Sequence, residues 1–193
     1  SEGLSSNEIY DIAQDNAGRI WVATSKGLVT LEGLSFQLNP SSRIVQGSFV
    51  VGFFESEGIL GCYTAEGRLF YIKDNKVSPI ALNTQLQSAI AGKIVNQARI
   101  DGAGNIWMSN IIGSGLIEIQ PSTRKVVNHD EPGAYKYIVR QLSDNNYIVG
   151  SSKPTANSAS VNQLKVFFNE IELEISLSGN SEYNKSKFSA LQN

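Results

Sequence analysis

Short apolar runs separated by polar turns make up the first part of the chain. Residues 9–13 and 20–23 are rich in apolar side chains and lie on either side of a turn at 15–18. This arrangement is typical of two antiparallel strands joined by a hairpin. A second polar break precedes another apolar run at 28–31. The pattern therefore predicts a three-stranded meander, with Trp21 in its middle strand, where a large indole can fill the space between neighbouring sheets.

The same meander returns about 86 residues later, with two residues inserted. An aspartate in a turn can accept backbone N–H bonds, and a glycine there can adopt positive φ. We therefore interpret the recurring acids and glycines as structural parts of a repeat. The matched positions are Asp15 with Asp101, Gly18 with Gly104, Trp21 with Trp107, and Gly27 with Gly115.

A more degenerate copy lies between these two. Its Gly58 and Gly67 fall 40 residues after the corresponding glycines of the first copy, but Gly61 stands at the tryptophan position. A neighbouring large side chain must then fill the gap between sheets. The candidates are Phe53, Phe54 and Tyr63.

Four copies of the unit are expected along the chain, at about residues 3–47, 48–92, 93–133 and 134–151 onward. The fourth copy is faint because its turn lacks the glycine. Residues 152–193 begin as a polar loop, then carry two alternating segments that we expect to be additional strands of the last unit, and end in a polar tail.

Repeated meanders of about 40 residues, with turns at fixed offsets, are typical of β-propeller blades. We predict an all-β fold, a β-propeller-like array of about four to five four-stranded antiparallel blades that form a partial propeller. The main rival architecture is a β-sandwich. A sandwich would not require Trp21 and Trp107 to occupy matched places in two units.

Composition excludes several classes of protein. The net charge is −2 and only 18% of the residues are charged, with Lys and Arg scattered singly, which does not favour a nucleic-acid surface. The chain shows no run of about 18 apolar residues and no signal-like N-terminus. Cys62 is the single cysteine, so an internal disulfide or a multi-cysteine metal site is excluded.

The first unit resembles the repeat of the two-component-regulator propeller family. The third unit keeps much of the same pattern, although Asn110 stands where a threonine is usual, and the resemblance covers roughly residues 3–151. The residues that carry it in the first unit are Leu4-Ser5-Ser6-Asn7, Ile9, Ile12, Asp15, Gly18, Ile20-Trp21, Thr24 and Gly27-Leu28.

The resemblance implies a sensor. In that family such repeats form the periplasmic or extracellular part of membrane-anchored bacterial receptors, which sense ligands or bind proteins and signal to a histidine kinase or a diguanylate cyclase. Family members often carry more blades than this segment, commonly as two propellers. We therefore expect the segment to form a homodimer or to pack against further blades, because an open fan of blades exposes sheet faces and edges.

Two other function classes are considered, a propeller hydrolase or lyase and a purely structural interaction scaffold. His129, beside Asp130 and Glu131, could shuttle protons or bind a metal, but a solvated turn residue explains it more simply. Cys62 lies in an apolar run and is better interpreted as a small buried hydrophobe than as a nucleophile. We therefore expect no catalytic residues, metal or cofactor in this segment.

Recurring acids and tryptophans allow two further binding hypotheses. A ring of acids at the same blade position could hold calcium, but calcium loops place several oxygen ligands in one short stretch, so turn formation is preferred. Trp21 and Trp107 could stack on sugar rings, although packing between sheets is preferred. The recurring acids are Asp15, Glu57, Asp101 and Asp144.

A ligand, either a small molecule or an oligosaccharide, is expected at the mouth of the propeller channel. There the loops that enter each innermost strand converge, which favours a concave site. Alignment of the four units places Asn7, Gln46, Lys93 and Tyr135 in those loops.

Overall fold

We describe the protein from a computed structural model. The structure describes residues 4–56, 58–101, 103–110, 116–129, 135–143, 146–152, 163–168 and 171–176. Within these ranges the strands form four antiparallel sheets of four strands, each built from strands that are consecutive in sequence. The fold is therefore all-β and has the blade topology of a propeller, as the repeat pattern predicts.

The strands of the four blades have the following bounds. Blade 1 contains β1 (Ile9–Gln14), β2 (Ile20–Thr24), β3 (Gly27–Glu32) and β4 (Ser35–Gln37). Blade 2 contains β5 (Val50–Ser56), β6 (Ile59–Thr64), β7 (Leu69–Lys73) and β8 (Lys76–Pro79). Blade 3 contains β9 (Val95–Ile100), β10 (Ile106–Asn110), β11 (Leu116–Gln120) and β12 (Lys125–Asn128). Blade 4 contains β13 (Tyr135–Ser143), β14 (Asn146–Ser152), β15 (Gln163–Phe168) and β16 (Ile171–Ser176).

Two short helices lie in the described connections between blades. A 3-10 helix (Pro40–Val45) joins blade 1 to blade 2, and its N-cap Asn39 accepts a hydrogen bond from the Ser41 amide. Helix α1 (Asn83–Ile90) joins blade 2 to blade 3 and ends at Ala91, which has left-handed φ and ψ. Val45 of the 3-10 helix and Leu86 and Ile90 of α1 are buried in the apolar clusters, so these two connections are part of the core.

Among the residues whose side chains the structure describes, blades 1 to 3 pack face to face through two apolar clusters. The cluster between blades 1 and 2 contains Trp21, Leu60, Cys62 and Phe70, and Trp21 is completely buried in it. The cluster between blades 2 and 3 also includes side chains from α1. Burial on both sheet faces explains why β2 and β6 are apolar at nearly every position. The predicted role of Trp21 as a wedge between sheets is confirmed.

Blade 2 fills its sheet gap with Phe54. Phe54 lies directly opposite Gly61 in the β5–β6 ladder. A Cβ atom on Gly61 would lie 2.1 Å from Phe54 Cζ and 2.7 Å from the Phe70 carbonyl oxygen. The Phe54 ring therefore occupies the space above the glycine, which identifies it among the three predicted candidates.

The antiparallel topology gives the blades two distinct ends. We call the end with the β1–β2, β5–β6, β3–β4 and β7–β8 turns the turn face. The opposite end, which we call the loop face, carries the connections that enter β1, β5, β9 and β13. Any site built from loops therefore belongs to one face or the other.

Candidate functional site

The four residues predicted to bind a ligand all belong to the loop face. Asn7 precedes β1 and Gln46 follows the 3-10 helix, and both are exposed. Lys93 lies between α1 and β9, where its amide donates to the Ile90 carbonyl at 3.1 Å. Tyr135 is the first residue of β13, and its side chain lies outside the described part of the structure. The topology places these four residues at the same end of the fold. A ligand site at that end stays a prediction.

Gln46 lines a small cavity of about 280 Å³ on the loop face. The 3-10 helix comes close to blade 1 at this point, because a Cβ atom on Gly27 would lie 2.9 Å from the Val45 carbonyl oxygen. Gly27 has φ +117°, so its lack of a side chain serves both the turn and this close approach. The other lining residues are Ser5, Lys26, Val29, Leu38 and Gly47.

A larger cleft of about 630 Å³ lies on the turn face, between blades 1 and 2. One wall is the β1–β2 turn of blade 1, and the opposite side is formed by β6 and the β7–β8 hairpin of blade 2. Asn16 Nδ2 donates to the Gly58 carbonyl at 2.8 Å and so joins the two blades at this cleft. Sequence reasoning missed the cleft, since its two sides lie about 40 to 60 residues apart in sequence.

The β1–β2 turn is held by the Asp15 carboxylate. Its Oδ1 atom accepts the amides of Ala17 and Arg19 at 3.0 and 2.9 Å. Its Oδ2 atom accepts the Trp21 indole Nε1–H at 2.9 Å and Arg19 Nη1 at 3.2 Å. Burial acts to raise the pKa of Asp15, but the hydrogen bonds from Trp21 and the two amides, with the Arg19 charge, hold it below its ordinary value.

Blade 3 repeats this arrangement. Asp101 Oδ1 accepts the amides of Ala103 and Asn105, each at 2.9 Å. Asp101 Oδ2 accepts the Trp107 indole Nε1–H at 2.9 Å. Both oxygens are thus occupied by donors from the turn and the next strand, which supports the structural interpretation over the calcium hypothesis. Glu57 and Asp144, the other acids of that hypothesis, lie outside the described residues, as does Gly115.

The two tryptophans differ in exposure. Trp21 is fully buried, so its ring is not available to stack on a sugar. Trp107 is half-buried, and its ring stacks on the imidazole of His129 with centroids 5.3 Å apart. The matched tryptophans therefore share an aspartate partner but not the same surroundings.

His129 follows β12 and pairs with a carboxylate that the sequence did not indicate. Its Nε2 atom lies 2.9 Å from Glu118 Oε2, and Gln120 Nε2 donates to Glu118 Oε1 at 2.8 Å. Glu118 is buried in β11 directly opposite Trp107. His129 is thus a partly buried member of a side-chain cluster, in contrast to the solvated turn residue that we expected. Asp130 and Glu131, its predicted neighbours, lie outside the described residues.

The cysteine thiol is shielded by its environment. Cys62 is completely buried between blades 1 and 2, and burial raises the pKa of its thiol, which suppresses the nucleophilic thiolate. Among the residues that the structure describes, no group of three or more His, Cys, Asp or Glu side chains could hold a metal ion.

Residues 3–26 match the family model described as the two component regulator propeller. This segment therefore carries one copy of that propeller repeat. The match spans the loop-face segment before β1, the Asp15 turn and the buried Trp21, so it falls on the first blade. No protein of curated function matches the chain in sequence.

Solved structures share the propeller fold with this chain. The extracellular domain of BT4673 from B. thetaiotaomicron, assigned to a hybrid two component system, gives a TM-score of 0.61 at 20% identity, with 92% of this chain and 25% of that chain covered. The extracellular domain of BT3049 from the same organism gives 0.57 at 19%, covering 93% and 23%. Virginiamycin B lyase from Staphylococcus aureus gives 0.56 at 14%, covering 92% and 59%.

These similarities establish the fold of the propeller repeats. The chain spans about a quarter of the length of the B. thetaiotaomicron domains that it matches. Within the described residues, no helix has the length and apolar character needed to cross a membrane.

Proposed function

We propose that this chain is part of the extracytoplasmic sensing region of a bacterial signal-transduction receptor, on the periplasmic or extracellular side of a membrane-anchored protein. The observation that carries the proposal is the family match at residues 3–26, on the blade whose Asp15 and Trp21 have the repeat's geometry. The shared fold with extracellular domains of two B. thetaiotaomicron systems supports it. A kinase or cyclase module elsewhere in the receptor would provide the output.

In this proposal the segment binds and does not catalyse. The buried Cys62 thiol and the hydrogen-bonded Asp15 and Asp101 carboxylates support a structural role for the groups that could have acted chemically. The likeness to virginiamycin B lyase concerns the fold, and a propeller fold is shared by enzymes and binding proteins.

The location can be tested in the full-length protein. Alkaline phosphatase inserted between residues 152 and 163 should be active in cells, because that enzyme folds with its disulfides only outside the cytoplasm. Fractionation should recover the full-length chain with the membrane. An inactive fusion and a chain recovered from the cytosol would overturn the receptor assignment.

For ligand sensing, we propose the loop face, where Asn7, Gln46, Lys93 and Tyr135 lie. A ligand that binds only the folded state raises its stability, by about 2.7 kcal/mol at 100 times its dissociation constant. Thermal denaturation of the whole extracytoplasmic region with panels of oligosaccharides and small metabolites should therefore reveal a stabilising compound. The variants Gln46→Ala and Lys93→Ala should abolish its effect, and an unchanged response in both would remove the loop face as the site.

The exposed apolar side chains of β1 are proposed as the contact with a further blade. Ile9 and Ile12 are 45% and 59% exposed on this innermost strand. Covering such side chains is favourable at about 25 cal/mol per Å² of apolar surface. The alternative partner is a second copy of this chain, and light scattering tests it. A dimer that dissociates on dilution and is weakened by Ile12→Ser would assign the contact to that second copy.

A further inference from the structure

The turn-face cleft between blades 1 and 2 has the size and lining of a ligand site. Its volume of about 630 Å³ lies within the range of about 300 to 1,000 Å³ that is usual for small-molecule pockets. Ile59, Leu60 and Ile72 supply apolar surface. Ile59 is 42% exposed, so part of this surface is accessible to a ligand.

Most polar groups of the cleft already have partners within the protein. Both oxygens of Asp15 accept hydrogen bonds, and its charge is compensated by Arg19 at 3.2 Å. Asn16 Nδ2 donates to Gly58, and Asn75 is hydrogen-bonded to Asn39. These hydrogen bonds hold the walls of the cleft in place, since they join the blade 1 turn and the blade 2 hairpin to adjacent segments of the protein.

Two charged side chains at the rim of the cleft differ from these groups in their exposure and in their lack of an ion-pair partner among the described residues. Lys73 and Asp74, at the end of β7 and the start of its hairpin turn, are both exposed. Neither forms an ion pair within the ranges of the chain that the structure describes. The rim thus presents one cation and one anion beside an apolar surface.

We propose that this cleft binds a small zwitterion with an apolar side chain, of the class of the apolar amino acids. The ligand carboxylate pairs with the Lys73 ammonium, its ammonium group pairs with the Asp74 carboxylate, and its side chain covers Ile59, Leu60 and Ile72. A ligand with a single charge would satisfy one rim charge and be repelled by the other. This inference stands apart from the receptor assignment, because it concerns binding at the opposite face from the loops.

The test uses amide NMR spectra of the full chain titrated with L-phenylalanine. The expected shifts are at Ala17, Gly58 and Ile59, around the cleft. Three probes separate the contributions: glycine lacks the apolar side chain, 3-phenylpropionate lacks the ammonium group, and phenethylamine lacks the carboxylate. Glycine should produce no shifts, and each singly charged analogue should bind about two- to fivefold more weakly, since exposed ion pairs are individually modest.

Variants locate the site. Lys73→Gln and Asp74→Asn should each weaken phenylalanine binding about two- to fivefold, and asparagine tolerates the left-handed φ of 50° at position 74. Ala17→Trp, on an exposed turn residue, should fill the cleft and abolish binding. The matched control is Lys26→Gln on the loop face, which should bind as the wild type does. The same spectra show whether each variant is folded.

Three results would overturn the proposal. They are the absence of shifts at millimolar phenylalanine, equal binding of the singly charged analogues, and shifts near Lys26 and Gln46 that survive Ala17→Trp. The last result would instead support the loop face as the ligand site. The cleft proposal and the receptor proposal can fail separately. If the protein is found in the cytosol but still binds phenylalanine in the cleft, only the receptor assignment is overturned.

Discussion

The Trp21 indole donates a hydrogen bond to the Asp15 carboxylate at 2.9 Å. This bond joins the β1–β2 turn to the side chain that packs between blades 1 and 2, so one residue pair couples local turn geometry to interblade packing. Asp101 and Trp107 are joined at the same distance in blade 3. The recurring aspartate and tryptophan of the repeat are therefore a single structural device.

The stability that Asp15 contributes should depend on pH. Its folded-state pKa lies below the ordinary value, so ionised Asp15 favours the folded state above the unfolded-state pKa of about 3.9. That contribution is lost as the pH falls through the folded pKa. Asp15→Asn should cost about 1 to 3 kcal/mol at pH 7, because asparagine has one acceptor oxygen and its NH2 group would face either the turn amides or the Trp21 indole N–H.

Urea unfolding at pH 7 and at pH values below 4 measures this effect. The difference in unfolding free energy between the wild type and Asp15→Asn should shrink in acid. A difference that stays constant over this pH range would contradict the lowered folded-state pKa of Asp15. Asp15→Glu serves as a control that keeps the charge while displacing the carboxylate from the turn amides.

Truncating the two tryptophans should have unequal effects. Trp21 is fully buried, so Trp21→Ala should destabilise the protein by about 3 to 5 kcal/mol. Trp107 is half-buried, so Trp107→Ala should cost less. Chemical denaturation of the two variants under the same conditions checks this order, and equal losses would show that the exposure of the rings does not set their contribution.

Adding one methyl group at position 61 should destabilise blade 2. The new Cβ atom would lie 2.1 Å from Phe54 Cζ and 2.7 Å from the Phe70 carbonyl oxygen, so the ring or the strand must shift. We expect Gly61→Ala to cost about 1 to 3 kcal/mol. A double-mutant cycle with Phe54→Leu tests the cause, because the alanine should cost less once the ring is removed. If the stability losses of the two substitutions are strictly additive, the cost of Gly61→Ala does not come from the Phe54 ring.

The sequence predicts individual blades better than it predicts what lies between them. Asp15, Gly18 and Trp21 are within seven residues of one another, so local turn and strand chemistry determines their arrangement. The sequence also predicts that a large side chain fills the gap left by Gly61, but Phe53, Phe54 and Tyr63 fit the pattern equally well. Phe54 is the one directly opposite the glycine, and that relationship depends on strand register.

Relationships across longer separations were not predictable in the same way. Asn16 meets Gly58 through a separation of 42 residues, and the turn-face cleft exists only because of how two blades pack. The bond between Glu118 and His129 likewise depends on the pairing of β11 with β12. The signal in the sequence was Glu118 itself, an acid between Ile117 and Ile119 in β11.

The single cysteine offers a probe of the packing between blades 1 and 2. Cys62 is completely buried in that cluster, and burial raises the pKa of its thiol, so both access and the thiolate form are suppressed in the folded state. At pH 8 a thiol reagent should modify the native protein slowly. The rate should rise over the urea range in which tryptophan fluorescence reports the loss of Trp21 burial, because both side chains belong to one cluster. A Cys62→Ala/Lys26→Cys variant, with its cysteine at an exposed position, should react rapidly without urea. Rapid modification of native Cys62 would mean that the two blades separate readily in solution.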